Sequence, residues 1–167
     1  MLAAAPERVD QVGGAGSGRT LAAVRDILAR VALPEIENRP LLGSTSEVSA
    51  YMRVILAHSP REEMHVLYLD AANYLIRDER VASGTVDRVA IFPREIVRRS
   101  LELAASGLIL VHNHPSGDPS PTVEDVRVTN RLADLCSGFD IRVHDHIIIA
   151  RSGHASMRAM GLIKRSS

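Results

Sequence analysis

The stretch from His112 to Asp125, HNHPSGDPSPTVED, joins an apolar run, Leu108-Ile109-Leu110-Val111, to a helical pattern from Val126 to Leu135. The apolar run has the length and composition of a buried strand. A strand, a Pro- and Gly-rich loop and a helix in that order restrict the chain to folds in which helices cover a shared sheet. Side chains two apart on a strand point the same way. His112 and His114, at the strand's end, can therefore reach one point in space. The loop lets Asp125, in the first turn of the helix, return to that point.

Two imidazoles and one carboxylate suit zinc, and three protein ligands leave a fourth position for water. That is the arrangement of a hydrolytic site. Thr122 and Asp125 also fit a capping box, which starts a helix with no metal at all. The two roles are compatible, because a carboxylate in a first turn can face a ligand as well as an amide.

His112, His114 and Asp125 match the pattern His-x-His-x7-Ser-x2-Asp, and so the chain resembles the JAMM (JAB/MPN) metalloproteases. The wording of the whole stretch is similar to the RadC-like branch of that family, and the similarity runs from about Arg39 to the C-terminus. One position departs, since the motif serine is Thr122 here. The resemblance implies an α/β (α+β) sandwich with a mixed, mostly antiparallel sheet flanked by helices. It implies one zinc per chain on His112, His114 and Asp125, and hydrolysis of a peptide or isopeptide bond in a peptide or protein substrate. It also implies that the motif hydroxyl, here on Thr122, donates to the oxyanion; its extra methyl restricts the rotamer.

A metal-bound water needs a base that is not a ligand. In the family this is a glutamate at the start of an earlier strand, and Glu62 and Glu63 stand together before Met64-His65-Val66-Leu67-Tyr68-Leu69-Asp70. Alternation puts Glu62, Met64, Val66 and Tyr68 on one face, and apolar character does not choose between the two faces. The resemblance does choose: counting back from Asp70 it places the base at Glu62. Ser116, Asp145 and His146 are candidates for a supporting role around the ligands. For Asp145-His146 a hydrogen-bonded core pair is the equal alternative. His58, His65 and His154 are structural or exposed.

Composition narrows the function further. Lys plus Arg equals Asp plus Glu at 20 each, so no global field steers the chain towards nucleic acid. Aromatic residues at 3% argue against a stacking surface for single strands. The second function class is therefore the weaker one: a DNA-repair-associated or protein-binding module of the RadC type. Cys136 is the only cysteine, which fits a reducing cytoplasm. No apolar run approaches the ~18 residues that a membrane span needs.

Along the chain, residues 1–39 form a Gly- and Ala-rich segment plus a helix, roughly Thr20 to Leu33. Its apolar stripe is Leu21, Val24, Ile27, Leu28 and Val31. By resemblance it could be the remnant of a helix-hairpin-helix module. Residues 40–167 form the main domain. A helix is expected from about Ser44 to Ala57. A hairpin follows from Glu62–Leu69 and Tyr74–Ala82, then a short strand at Val89–Phe92. A helix from Arg94 to Ser106 should bury Ile96, Val97, Leu101 and Ala104, with Pro93 opening it and Gly107 capping it. Arg94, Arg98 and Arg99 mark its solvated face. A strand from Ile141 to Ala150 and a final segment from Ala155 to Ile163, strand or helix, complete the chain.

Overall fold

The computed structural model describes residues 45–56, 59–84 and 91–164, with Thr20, Ala23, Val24 and Ile27 before them. The boundary at residues 39 and 40, the strand start at Val89 and the side chain of His58 lie outside the described residues. Ala23, Val24 and Ile27 are helical, but Val24 and Ile27 of the expected stripe are exposed, at 41% and 58%.

The rest is one five-stranded mixed sheet with three helices. In chain order these are α1 (Thr45–Leu56), β1 (Glu63–Leu69), β2 (Leu75–Ser83), α2 (Pro93–Glu102), β3 (Gly107–Asn113), α3 (Val123–Ser137), β4 (Arg142–Ala150) and β5 (Gly153–Ser156). The strand order is β2-β1-β3-β4-β5. Only β3 and β4 run parallel, and α3 supplies the crossover that a parallel pair requires. The α/β sandwich with a mostly antiparallel sheet is the fold expected.

Both faces of the sheet are covered, so β1 and β3 are nearly continuous apolar runs. On one face Met64, Val66, Tyr68, Leu108 and Leu110 pack with Ile96 and Val97 of α2 and Leu132, Ala133 and Cys136 of α3. On the other, Leu67, Leu69, Ile109, Val111, Ile147 and Ile149 pack with Val48, Tyr51, Met52 and Leu56 of α1. His65 lies buried in a network of its own: its Nδ1 is 2.7 Å from Asp78 Oδ1, and Tyr51 Oη donates to Asp78 Oδ2.

α2 departs from expectation at its end. It stops at Glu102, and Leu101 and Ala104 are exposed. The buried stripe is Ile96, Val97 and Ser100 with Leu103 beyond, and Leu101 falls one position off it. Ala104 turns the chain at φ 51°, with its N–H donating to Leu101 O and that of Ala105 to Ser100 O. This is the Schellman closure, made by alanine where glycine is usual. Gly107 is not the cap but the first residue of β3.

Its lack of a side chain serves a different purpose. A Cβ at Gly107 would lie 2.5 Å from His144 Nε2 and 2.7 Å from its Cδ2. His144 is the extra residue of β4, since Leu108 pairs with Val143 and Ile109 with Asp145. One extra residue reverses the facing of everything beyond it. Asp145 therefore pairs with Ile109, and His146 pairs with Leu110 on the face that α3 covers. Ile91 and Phe92, expected to end a short strand, are not in one.

Candidate metal centre

The site forms where β3 ends and α3 begins. Antiparallel pairing sets Met64 opposite His112. Glu62, two residues before Met64 and just outside β1, comes to the same end of the sheet as the two histidines. Glu62 Oε1 is 4.0 Å from His112 Nε2 and 3.8 Å from His114 Nε2. Glu63 turns away, accepting from Ser59 Oγ and pairing with Arg80 at 3.1 Å. Burial alone would raise the Glu63 pKa, but those hydrogen bonds outweigh it and hold the carboxyl below its usual range.

The imidazoles meet at their Nε2 atoms, 2.8 Å apart. Asp125 comes back from α3 as expected, with Oδ1 3.3 Å from His112 Nε2 and Oδ2 3.6 Å from His114 Nε2. Its place is set by the capping box: Thr122 N–H and Oγ1 both donate to Asp125 Oδ2, and Asp125 N–H donates to Thr122 Oγ1. The single hydroxyl proton of Thr122 is thus given to Asp125. The hydroxyl that the resemblance directs at an oxyanion is here engaged with Asp125.

Charge follows burial and neighbours. His112 is buried, and desolvation with the nearby His146 drives its pKa well below the usual value. His114 is raised, chiefly by its hydrogen bond to Asp125. Burial would raise Asp125, but His114, His112 and Thr122 together hold it far below the ordinary carboxylate range.

The surroundings orient these groups. His114 Nδ1 is 2.9 Å from the Asp118 carbonyl, which can only accept. His112 Nδ1 is 2.7 Å from His146 Nε2, and His146 Nδ1 is 2.6 Å from Thr129 Oγ1. His146 is fully buried, and burial pushes its pKa down to about 4. The expected supporting residues separate here. His146 touches a site histidine, whereas Asp145 accepts from the His146 and Arg158 amides and from Ser156 Oγ. Ser116 is exposed to a degree and accepts from Asp118 N–H at 3.4 Å. The hydrogen bonds of Asp145 and Ser116 are thus spent away from the His112 and His114 rings, Asp145 by the reversal at His144 and Ser116 by the turn it closes.

Over residues 42–162 the chain matches the model of the RadC-like JAB domain. A UPF0758 protein of Rhodobacter capsulatus is 42% identical over 165 residues, covering 98% of this chain and 77% of the relative. The chain belongs to the RadC-like JAB domain family. In this RadC-like domain Glu62, His112 and His114 each bring one donor atom within 4.8 Å of the others, a group that could hold a metal ion. Among the described residues no helix is long and apolar enough to cross a membrane.

Asn113 and Thr129 are the residues that motif reasoning passed over. Asn113 is buried between the two histidines; its Oδ1 accepts from Glu63 N–H and its Nδ2 donates to Arg61 O, each at 2.9 Å. It therefore grips the backbone on both sides of Glu62. The only signal in the sequence was an amide placed on the opposite strand face from its histidine neighbours, where a buried polar group needs partners.

Two carboxylates are near enough to be the third ligand. Zinc bonds of about 2.0–2.1 Å in a tetrahedron put ligand atoms about 3.3 Å apart. The His112–His114 edge is 2.8 Å, and Asp125 approaches with a different oxygen to each ring, Oδ1 at 3.3 Å from His112 and Oδ2 at 3.6 Å from His114. Glu62 Oε1 lies a little farther out, at 3.8 and 4.0 Å. Two imidazole nitrogens with both carboxylates in reach are a donor set that suits a metal ion such as zinc.

Proposed function

We propose that this RadC-like domain is a zinc-dependent hydrolase of peptide or isopeptide bonds, acting on a peptide or protein substrate. The observation that carries this is the meeting of two imidazole nitrogens and the Asp125 carboxylate at ligand spacing, with a second carboxylate just outside. His112, His114 and Asp125 would hold one zinc per chain. Bound zinc supplies an activated water near neutral pH and polarises a carbonyl. Glu62 would be the base that accepts the water's proton, and as a non-ligand it could do so without loosening the metal. Asp125 stays ionised because its histidine and threonine partners favour the charged form. Thr122 acts through Asp125, fixing the carboxylate's orientation. The single thiol, Cys136, is buried and pushed up to about 11 by that burial, so it is inert and suits a cytoplasmic protein.

Elemental analysis and a peptide-library cleavage assay on the same preparations test this. The parent should carry one zinc and cleave, Asp125→Ala should lose zinc, and Glu62→Gln should keep zinc and lose cleavage. Full zinc in both His112→Ala and Asp125→Ala would remove the site. Loss of cleavage in Glu63→Gln with Glu62→Gln unaffected would exchange the two glutamates.

A further inference from the structure

The path of hydrogen bonds behind His112 has a direction, and one residue sets it. Thr129, in the second turn of α3, is fully buried. Its Oγ1 lies 2.6 Å from the Asp125 carbonyl and 2.6 Å from His146 Nδ1. A hydroxyl has one proton to give, and the carbonyl can only accept. Threonine within helices donates to the carbonyl four residues back, which here is Asp125. Met157 Sδ, at 3.9 Å, is too distant and too weak an acceptor to compete.

With the hydroxyl proton on the Asp125 carbonyl, Thr129 receives a proton from His146. Neutral His146 then carries its hydrogen on Nδ1 and shows a bare Nε2 to His112. His112 donates Nδ1–H across the 2.7 Å contact, and its own Nε2 is left with a lone pair facing Asp125 and His114. Run the other way, with Thr129 donating to His146, every proton moves one place. His112 Nε2 would then carry a hydrogen and could bind no metal. His114 is set separately, by the Asp118 carbonyl.

We infer that Thr129 is a positioning residue for the metal: through His146 it selects the His112 tautomer that has a free Nε2. This rests on the zinc reading above. Three features support it beyond the distances. Thr129 and His146 are both fully buried, so exchange with bulk water does not blur the pattern. The hydroxyl sits one turn after Asp125, so the helix that brings the carboxylate also brings the tautomer control. His146 reaches this face only because His144 is the extra residue in β4.

Thr129→Val keeps the shape and deletes the hydroxyl. His146 Nδ1–H would then have no acceptor, so the ring should move its hydrogen to Nε2 and force the wrong form on His112. Residues that orient metal-binding histidines are worth about 10–100-fold in metal affinity. Zinc should be titrated against a chromophoric chelator with the full chain, Thr129→Val and Thr129→Ser. Thr129→Val should bind about 10–100-fold more weakly, and Thr129→Ser should bind like the parent. Nitrogen-15 NMR of the metal-free proteins should find His146 protonated on Nδ1 in the parent and Thr129→Ser, and on Nε2 in Thr129→Val. A merely structural threonine would lower the melting temperature of Thr129→Val without moving either readout. Equal zinc affinity in parent and Thr129→Val, or the same His146 tautomer in both, overturns the inference. A parent chain that takes up no zinc overturns the metal reading beneath it instead, which the parent titration alone reveals.

Discussion

Gly107→Ala tests why β4 carries an extra residue. The new Cβ would stand 2.5 Å from His144 Nε2 and 2.7 Å from Cδ2, with Leu69 Cβ at 3.6 Å behind it. Ordinary carbon contacts begin at about 3.5 Å, so the ring must retreat by roughly 1 Å. Overpacking of this kind costs about 1–3 kcal/mol. Replacing glycine within a strand by alanine returns about 0.5–1 kcal/mol. The net expectation runs from no change to a loss of about 2.5 kcal/mol, or up to roughly 10 °C in melting temperature for a domain of this size. Urea and thermal unfolding should be measured for Gly107→Ala, His144→Ala and the double variant. With the ring gone, Gly107→Ala should become neutral or stabilising, which gives a coupling of about 1 kcal/mol or more. Zinc affinity should fall in the single variant too, because moving His144 moves His146. An equal loss from Gly107→Ala in both backgrounds would refute the ring as the reason for glycine and return it to a backbone role.

Asn113→Ala should leave the half-buried Glu63 N–H without its acceptor, at a cost of about 1–3 kcal/mol, while Arg61 O keeps its bond from Ser59 Oγ at 2.9 Å. Zinc affinity should be unchanged while hydrolysis falls at a temperature where both proteins are folded; full activity would refute the grip on Glu62. Acid should destabilise the metal-free protein in a defined window. His146 and His144 are pushed by burial down to about 4, against about 6.5 when unfolded, so between those values the unfolded chain binds protons that the folded chain refuses. Stability should fall as pH drops from about 6.5 towards 4, by up to about 1.4 kcal/mol per unit for buried His146 and less for half-buried His144. His114, raised chiefly by its hydrogen bond to Asp125, works in the opposite direction at the top of that window, where the folded chain holds the extra proton. Urea midpoints at pH 7, 6 and 5 that stay level or rise would contradict a neutral buried His146.

The site histidines and Asp125 were legible because period-two and capping rules are local: HNH at a strand end and T-x-x-D at a helix start need no knowledge of the rest. The hairpin and the crossover helix were legible for the same reason. Alternation alone did not choose between Glu62 and Glu63; the resemblance did, and the pairing of Met64 with His112 brings Glu62 beside the histidines. The split between Asp145 and His146 depended on an extra residue that no alternation pattern announces. The end of α2 was missed because alanine took the turn at Ala104 that glycine would have advertised. The oxyanion role of Thr122 came from the resemblance, whereas its capping box with Asp125 was legible in T-x-x-D itself.

The strands at the sheet's margins bear on how the protein behaves in a crowded solution. An open strand edge is a template on which other chains can add. β2 offers a poor one: its pairing with β1 slips twice, past Val81 and past Ile76, and its middle is Arg77-Asp78-Glu79-Arg80. β5 offers even less, being four residues long. The apolar strands that would polymerise most readily, β1 and β3, are paired along both sides. Among the described residues the open edges are therefore poor templates for a second chain, and the strands most prone to polymerise are exposed only when the centre of the sheet comes apart.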